Sequence, residues 1–122
     1  LFDGHSIKAE LPWLFEGRLP DLNLGTASGT SCAPSMRDAL AKVLAATSGY
    51  THVVDGRFKG GYITRHYGRP ARGWHAVQLE MGWHLYADDS VTPPAWSDPR
   101  AARLQPLLRA MMQTMLTWRP AS

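Results

Sequence analysis

Cysteine is almost absent from this sequence: of 122 residues only Cys32 carries a thiol, so no disulfide can form within the chain. A scaffold held together by internal disulfides is excluded, and a reducing, cytoplasmic setting is the expectation. Long apolar runs are missing too. No stretch approaches the roughly 18 consecutive apolar residues of a spanning helix, so no membrane contact is expected. Acids are absent from one region in particular: no Asp or Glu occurs from Gly56 to Gln78, whereas Arg57, Lys59, Arg65, Arg69 and Arg72 all fall there. The formal net charge of +3 does not by itself define a nucleic-acid binder, so the local concentration of cations carries the information. There is no HExxH and no dense cluster of ligating residues among His52, His66, His75 and His84, so a self-contained zinc site cannot be read from the chain. Nor does a methionine or signal peptide precede Leu1 and Phe2, which predicts that these residues lie inside a longer polypeptide.

What is present suits one domain over residues 1–122, with 44% hydrophobic and 19% charged residues. Leu1-Phe2 reads as the end of a buried strand running into a loop at Asp3-Gly4-His5-Ser6. Lys8 to Ala33 is rich in turn residues and predicts a long loop with one short strand near Leu22 to Leu24. Ser35 and Asp38 suggest a capping box for a helix from Pro34 to Ser48, whose Met36, Leu40, Val43 and Leu44 recur at helical spacing. Strands follow at Tyr50 to Asp55 and at Trp74 to Met81, with a short strand-like centre at Tyr62-Ile63-Thr64 between them. After a polar loop from Ala87 to Ser97, Asp98-Pro99 starts a C-terminal helix with Leu104, Leu107, Leu108, Met111, Met112, Met115 and Leu116 on one face. Pro106 predicts a kink or a fresh start near Gln105.

Three features could carry chemistry. His5 sits beside Asp3 and Ser6, which could orient an imidazole for metal binding or catalysis, or the histidine could be structural. Glu80 lies in an apolar strand, where burial would raise its pKa toward that of a general base; the other reading is a carboxylate paired with a nearby arginine. The basic segment, with Phe58, Tyr62, Tyr67 and Trp74 interleaved, could be a solvated face, a nucleic-acid patch or a glycine-shaped clamp for small anions. The i, i+3 pair His52 and Asp55 points to opposite faces of a strand and is set aside, and Cys32 reads as a small buried residue.

Taken together, DGHSI, LFEGRLPDLNLGT, GRFKGGYITRHYGRP and HAVQLEM resemble the N-formylglutamate amidohydrolases, in order and over almost the whole chain. The resemblance implies an α/β fold of the zinc carboxypeptidase-like type, three layers about a mixed central sheet, with the N-terminal half lying outside this sequence. It implies zinc-dependent hydrolysis of N-formyl-L-glutamate to formate and L-glutamate in histidine degradation. By the same resemblance His5 would ligate zinc, Glu80 would be the catalytic acid/base, and Arg57, Lys59, Arg65 and Tyr67 would bind the substrate carboxylates. The remaining zinc ligands would come from the absent half, so the 122-residue chain alone is expected to be inactive. The alternative is a truncated remnant that binds small carboxylates or a partner chain. The expected partners are a small carboxylate-bearing substrate and further copies of the chain through an exposed sheet edge, with no nucleic acid and no membrane.

Overall fold

The computed structural model describes residues 1–121 as a mixed α/β structure. A four-stranded sheet is built from β1 (Phe2–Ile7), β2 (Leu22–Gly25), β3 (His52–Val54) and β4 (Val77–Gly82), in the order β1-β4-β2-β3. β1 runs parallel to β4, β2 antiparallel to β4, and β3 parallel to β2. Helices α1 (Pro34–Ala46) and α3 (Asp98–Thr117) pack together, a short helix α2 (Tyr62–Tyr67) follows β3, and β5 (Ala87–Asp88) and β6 (Ala95–Trp96) form a small ribbon before α3.

Side chains alternate across a strand, so the sheet has two unlike faces. Leu22, Leu24, Val77 and Leu79 form one face and are buried against Met36, Leu40 and Leu44 of α1 and Leu104, Leu107 and Met111 of α3. The cross-strand register places Asp3 beside Gln78, and His5, Glu80 and Asn23 in one row, on the opposite face. That face receives the backbone of Lys59 to Gly61. A Cβ on Gly25 would lie 2.5 Å from the Lys59 carbonyl carbon, so only glycine there lets the loop approach the sheet so closely.

Several expectations change. β1 does not end at Phe2 but continues to Ile7, with the side chains of Asp3 and His5 on the face away from the helices and Ser6 on the other. Tyr62-Ile63-Thr64 is the start of a helix, not a strand; three apolar-leaning residues fix no period, and the positive φ of 99° at Gly60 turns the chain into α2. No capping box opens α1. Its N-cap is Ala33 with Pro34 in the first turn, and Ser35, already helical, accepts a hydrogen bond from Trp118 Nε1 at 3.1 Å. The helix stops at Ala46, two residues before Ser48. α3 runs unbroken past Pro106, which is exposed, without a restart at Gln105. Its start is as read, with Ser97 Oγ accepting from the Arg100 N–H and Pro99 in the first turn. The loop before it contains β5 and β6, and the strands read at Tyr50 to Asp55 and Trp74 to Met81 occupy His52–Val54 and Val77–Gly82. Cys32 is buried, as expected.

Asp55 makes no recorded contact with His52. With φ of 50°, it accepts hydrogen bonds from the Thr26 N–H at 2.7 Å and the Ser28 N–H at 3.3 Å, tying the loop between β2 and α1 to the end of β3.

Two substitutions test this packing. Leu79→Ala, in the middle of β4, should lower unfolding free energy by about 2–5 kcal/mol in urea denaturation. Pro106→Ala restores an N–H opposite the Ala102 carbonyl on the solvent side of α3, and should raise it by about 1–3 kcal/mol.

Candidate active site

The polar row begins at β1. Asp3 and His5 are two residues apart on one face, and Asp3 Oδ2 lies 3.1 Å from His5 Nε2. The imidazole is half exposed at 50% while the aspartate is 16% exposed, so the carboxylate holds one ring nitrogen from the less exposed side. With the proton on Nε2 and donated to Asp3, Nδ1 would keep its lone pair, as in carboxylate-backed metal-binding histidines. Ser6 does not share in this. It lies on the other face, its hydroxyl 2.6 Å from the Tyr86 hydroxyl.

Glu80 is the in-register neighbour of His5 on β4 and is only 7% exposed. Burial pushes its carboxyl pKa up; the nearby His5 pulls it down and Asp3 pushes it up further. Among the described residues no arginine pairs with Glu80, and its recorded side-chain partner is Gln78, whose Nε2 is 3.4 Å from Glu80 Oε2. On the other side, the Asn23 amide donates to the Glu80 carbonyl at 3.1 Å and to the Pro20 carbonyl at 2.9 Å, while its own Oδ1 is buried without a partner. Burial and weak pairing both favour the protonated form of this carboxyl.

The basic segment is divided rather than gathered into one clamp. Arg57 donates to the Leu14 carbonyl at 2.8 Å, and Phe58 packs edge-on against Phe15, fastening the segment to the long loop. The Lys59 carbonyl accepts from the Ala27 N–H at 2.7 Å. Arg65 donates to the Gly60 carbonyl at 3.2 Å. Tyr67 lines a separate cavity of about 280 Å³ with His66, Arg69, Arg72 and Trp74. Of this segment, the loop at Lys59 to Gly61 comes nearest to Glu80, joined to it through Gln78, which accepts from the Gly61 N–H at 3.1 Å.

Sequence reasoning singled out His5 and Glu80 but passed over Gln78 and Asn23. Gln78 had a signal, the i, i+2 alternation that puts it on the face of Glu80. Asn23 had a weaker one, a polar side chain in a strand whose every residue is buried. Among the described residues no group of three or more His, Cys, Asp or Glu is disposed to hold a metal ion. His5 fits as one nitrogen donor; a full ligand set needs donors from elsewhere.

The family model described as N-formylglutamate amidohydrolase matches residues 1–87. An N-formylglutamate deformylase of Pseudomonas aeruginosa is 48% identical over 118 residues, 97% of this chain and 44% of that protein. One from Pseudomonas putida is 47% identical over the same lengths. The chain thus spans less than half the length of these curated relatives. A crystal structure of an N-formylglutamate amidohydrolase from Ralstonia eutropha JMP134 superimposes with a TM-score of 0.74 at 23% identity, covering 94% of this chain and 42% of that one, which establishes likeness of fold.

The raised pKa of Glu80 has a signed consequence for stability. The folded state holds the proton more tightly than the unfolded state, so the contribution of Glu80 is fully present below the unfolded pKa and is lost as pH rises through the folded one. Glu80→Gln should therefore flatten the fall in stability above the ordinary carboxylate range and raise the Tm at pH 7, as followed by thermal denaturation across pH 3 to 8.

Proposed function

The chain belongs to the N-formylglutamate amidohydrolase family, a family of hydrolytic enzymes, and we propose that it serves the hydrolysis of N-formyl-L-glutamate to formate and L-glutamate. The observation that carries this reading is the pairing of His5 and Glu80 across β1 and β4, with Asp3 behind the imidazole, inside the part of the chain that the family model matches. Glu80 takes the proton of the attacking water and gives it to the departing amine, the task for which a buried carboxylate of raised pKa is suited. His5 would contribute one nitrogen ligand to a catalytic zinc ion. The chemistry such an ion supplies when bound is polarisation of the formyl carbonyl and acidification of its water. Arg57, Lys59, Arg65 and Tyr67 are proposed to meet the substrate carboxylates. Since Arg57 and Arg65 now donate to backbone carbonyls, this role requires that they exchange those partners for the ligand. A cytoplasmic place in histidine degradation follows from the same reading.

The reading includes a division of labour. The described residues form one side of a catalytic unit, and polypeptide corresponding to the rest of the relatives' length supplies the other zinc ligands and completes a larger, zinc carboxypeptidase-like sheet. Two observations support it. β1 is an edge strand among the described residues, and apolar grooves of about 510 and 290 Å³ open beside it, the first lined by Leu1, Phe2, Met115 and Trp118, the second by His5, Tyr86, Trp96 and Leu108. The same edge could instead pair with a second copy of the chain.

Zinc content and formate release test the proposal, for the 122-residue chain alone and combined with a polypeptide spanning the remainder of the Pseudomonas putida deformylase. Turnover and zinc retention should appear only in the combination. There, Glu80→Gln should lower kcat about 10²- to 10⁴-fold with zinc retained, and His5→Ala should lower zinc occupancy. A combination that assembles yet releases no formate would leave the carboxylate-binding remnant as the better reading; a silent Glu80→Gln would remove Glu80 from the chemistry.

A further inference from the structure

Gln78 is more than nine-tenths buried, at 7% exposure, on the central strand of the sheet. A buried primary amide must find partners for both of its ends or lose the hydrogen bonds it had with water. Here the two ends go to two different parts of the site. Oε1 accepts the N–H of Gly61 at 3.1 Å, and Nε2 reaches Glu80 Oε2 at 3.4 Å. Gly61 is the N-cap residue of α2 and closes the turn Lys59-Gly60-Gly61, whose backbone lies directly on β2: a Cβ on Gly25 would come within 2.6 Å of Gly60 N. Gly25 and Gln78 are in-register neighbours, so the loop, the amide and the carboxylate are stacked in sequence on one face of the sheet.

We propose that Gln78 is a positioning residue that links the basic loop to Glu80. Its amide holds Oε2 of the carboxylate and is itself held by the Gly61 N–H, so the orientation of Glu80 depends on the seating of the loop. Oε2 is thereby engaged, and Oε1 remains as the oxygen free to exchange a proton. A displacement of Lys59 to Gly61, such as contact of Lys59 with a substrate carboxylate would bring, pulls on Oε1 of Gln78 and is passed two residues along β4 to Glu80. The inference rests on the reading of Glu80 as the proton-transfer group, but its test does not need turnover.

The test is amide NMR of the ¹⁵N-labelled 122-residue chain at fixed pH. Glu80→Gln should move the Gly61 amide resonance, although Gly61 lies 19 positions away in sequence. Gln78→Leu should abolish that response and speed hydrogen exchange at Gly61 roughly three- to tenfold, the effect of losing one hydrogen bond. Gln78→Asn keeps the amide but is one methylene too short to span both partners, and should give the same loss of response; it serves if the leucine variant does not fold. A Gly61 resonance indifferent to Glu80→Gln, or a response that survives both Gln78 variants, would overturn the link. Because the role of Glu80 is decided by formate release and the role of Gln78 by this response, the two can fail separately.

Discussion

Strand β4 is hydrogen-bonded on both edges, parallel to β1 and antiparallel to β2, and it presents Leu79 to the helices and Glu80 to the other side. This double pairing is the constraint on which the site depends. It removes every backbone freedom that could let Glu80 escape to solvent, so the carboxylate stays where burial raises its pKa. The energy that holds it comes from the opposite face. Leu22, Leu24, Val77 and Leu79 pack on α1 and α3, and apolar burial there offsets the cost of keeping an acid beneath the surface.

The alternation of strand residues couples fold to chemistry because each strand feeds both faces. β1 contributes Phe2 to the packed side and Asp3 and His5 to the opposite, polar side; β2 contributes Leu22 and Leu24 to one and Asn23 to the other. A one-residue slip of β1 against β4 would send His5 to the apolar face and Gly4 to the place beside Glu80. Register is thus a condition of the proposed site as much as of stability. The side chains around Glu80 also divide their work: Asp3 holds the imidazole, Gln78 the carboxylate and Asn23 the Glu80 carbonyl, each using a hydrogen bond that fixes its neighbour.

Much of this was legible beforehand where local signals are strong. The helical spacing of Met36, Leu40 and Leu44 marked α1, and Asp98-Pro99 marked the start of α3. Glu80 stood out as an acid in an apolar strand, and His5 by its company. Where local signals are ambiguous the reading slipped. Tyr62-Ile63-Thr64 is too short to show a period, and Ser35 and Asp38 imitate a capping box although the N-cap is Ala33, two residues earlier. The basic residues are adjacent in sequence but separated in space: Tyr67 lines a cavity with Arg69 and Arg72 while Arg57 reaches back to the Leu14 carbonyl.

By itself the sequence determined the local and the chemical: which stretches are apolar, the two long helices, an acid in an apolar strand, a histidine beside Asp3 and a run of cations free of acids, and the order of motifs that marks the family. Those properties depend on residues near one another along the chain. Tertiary structure alone decided the pairings. That His5 stands beside Glu80, 75 positions later, that Gln78 joins Glu80 to Gly61, and that Gly25 seats the loop on the sheet all follow from strand order and register. Both are set by how the apolar faces pack together, which no single stretch of sequence contains.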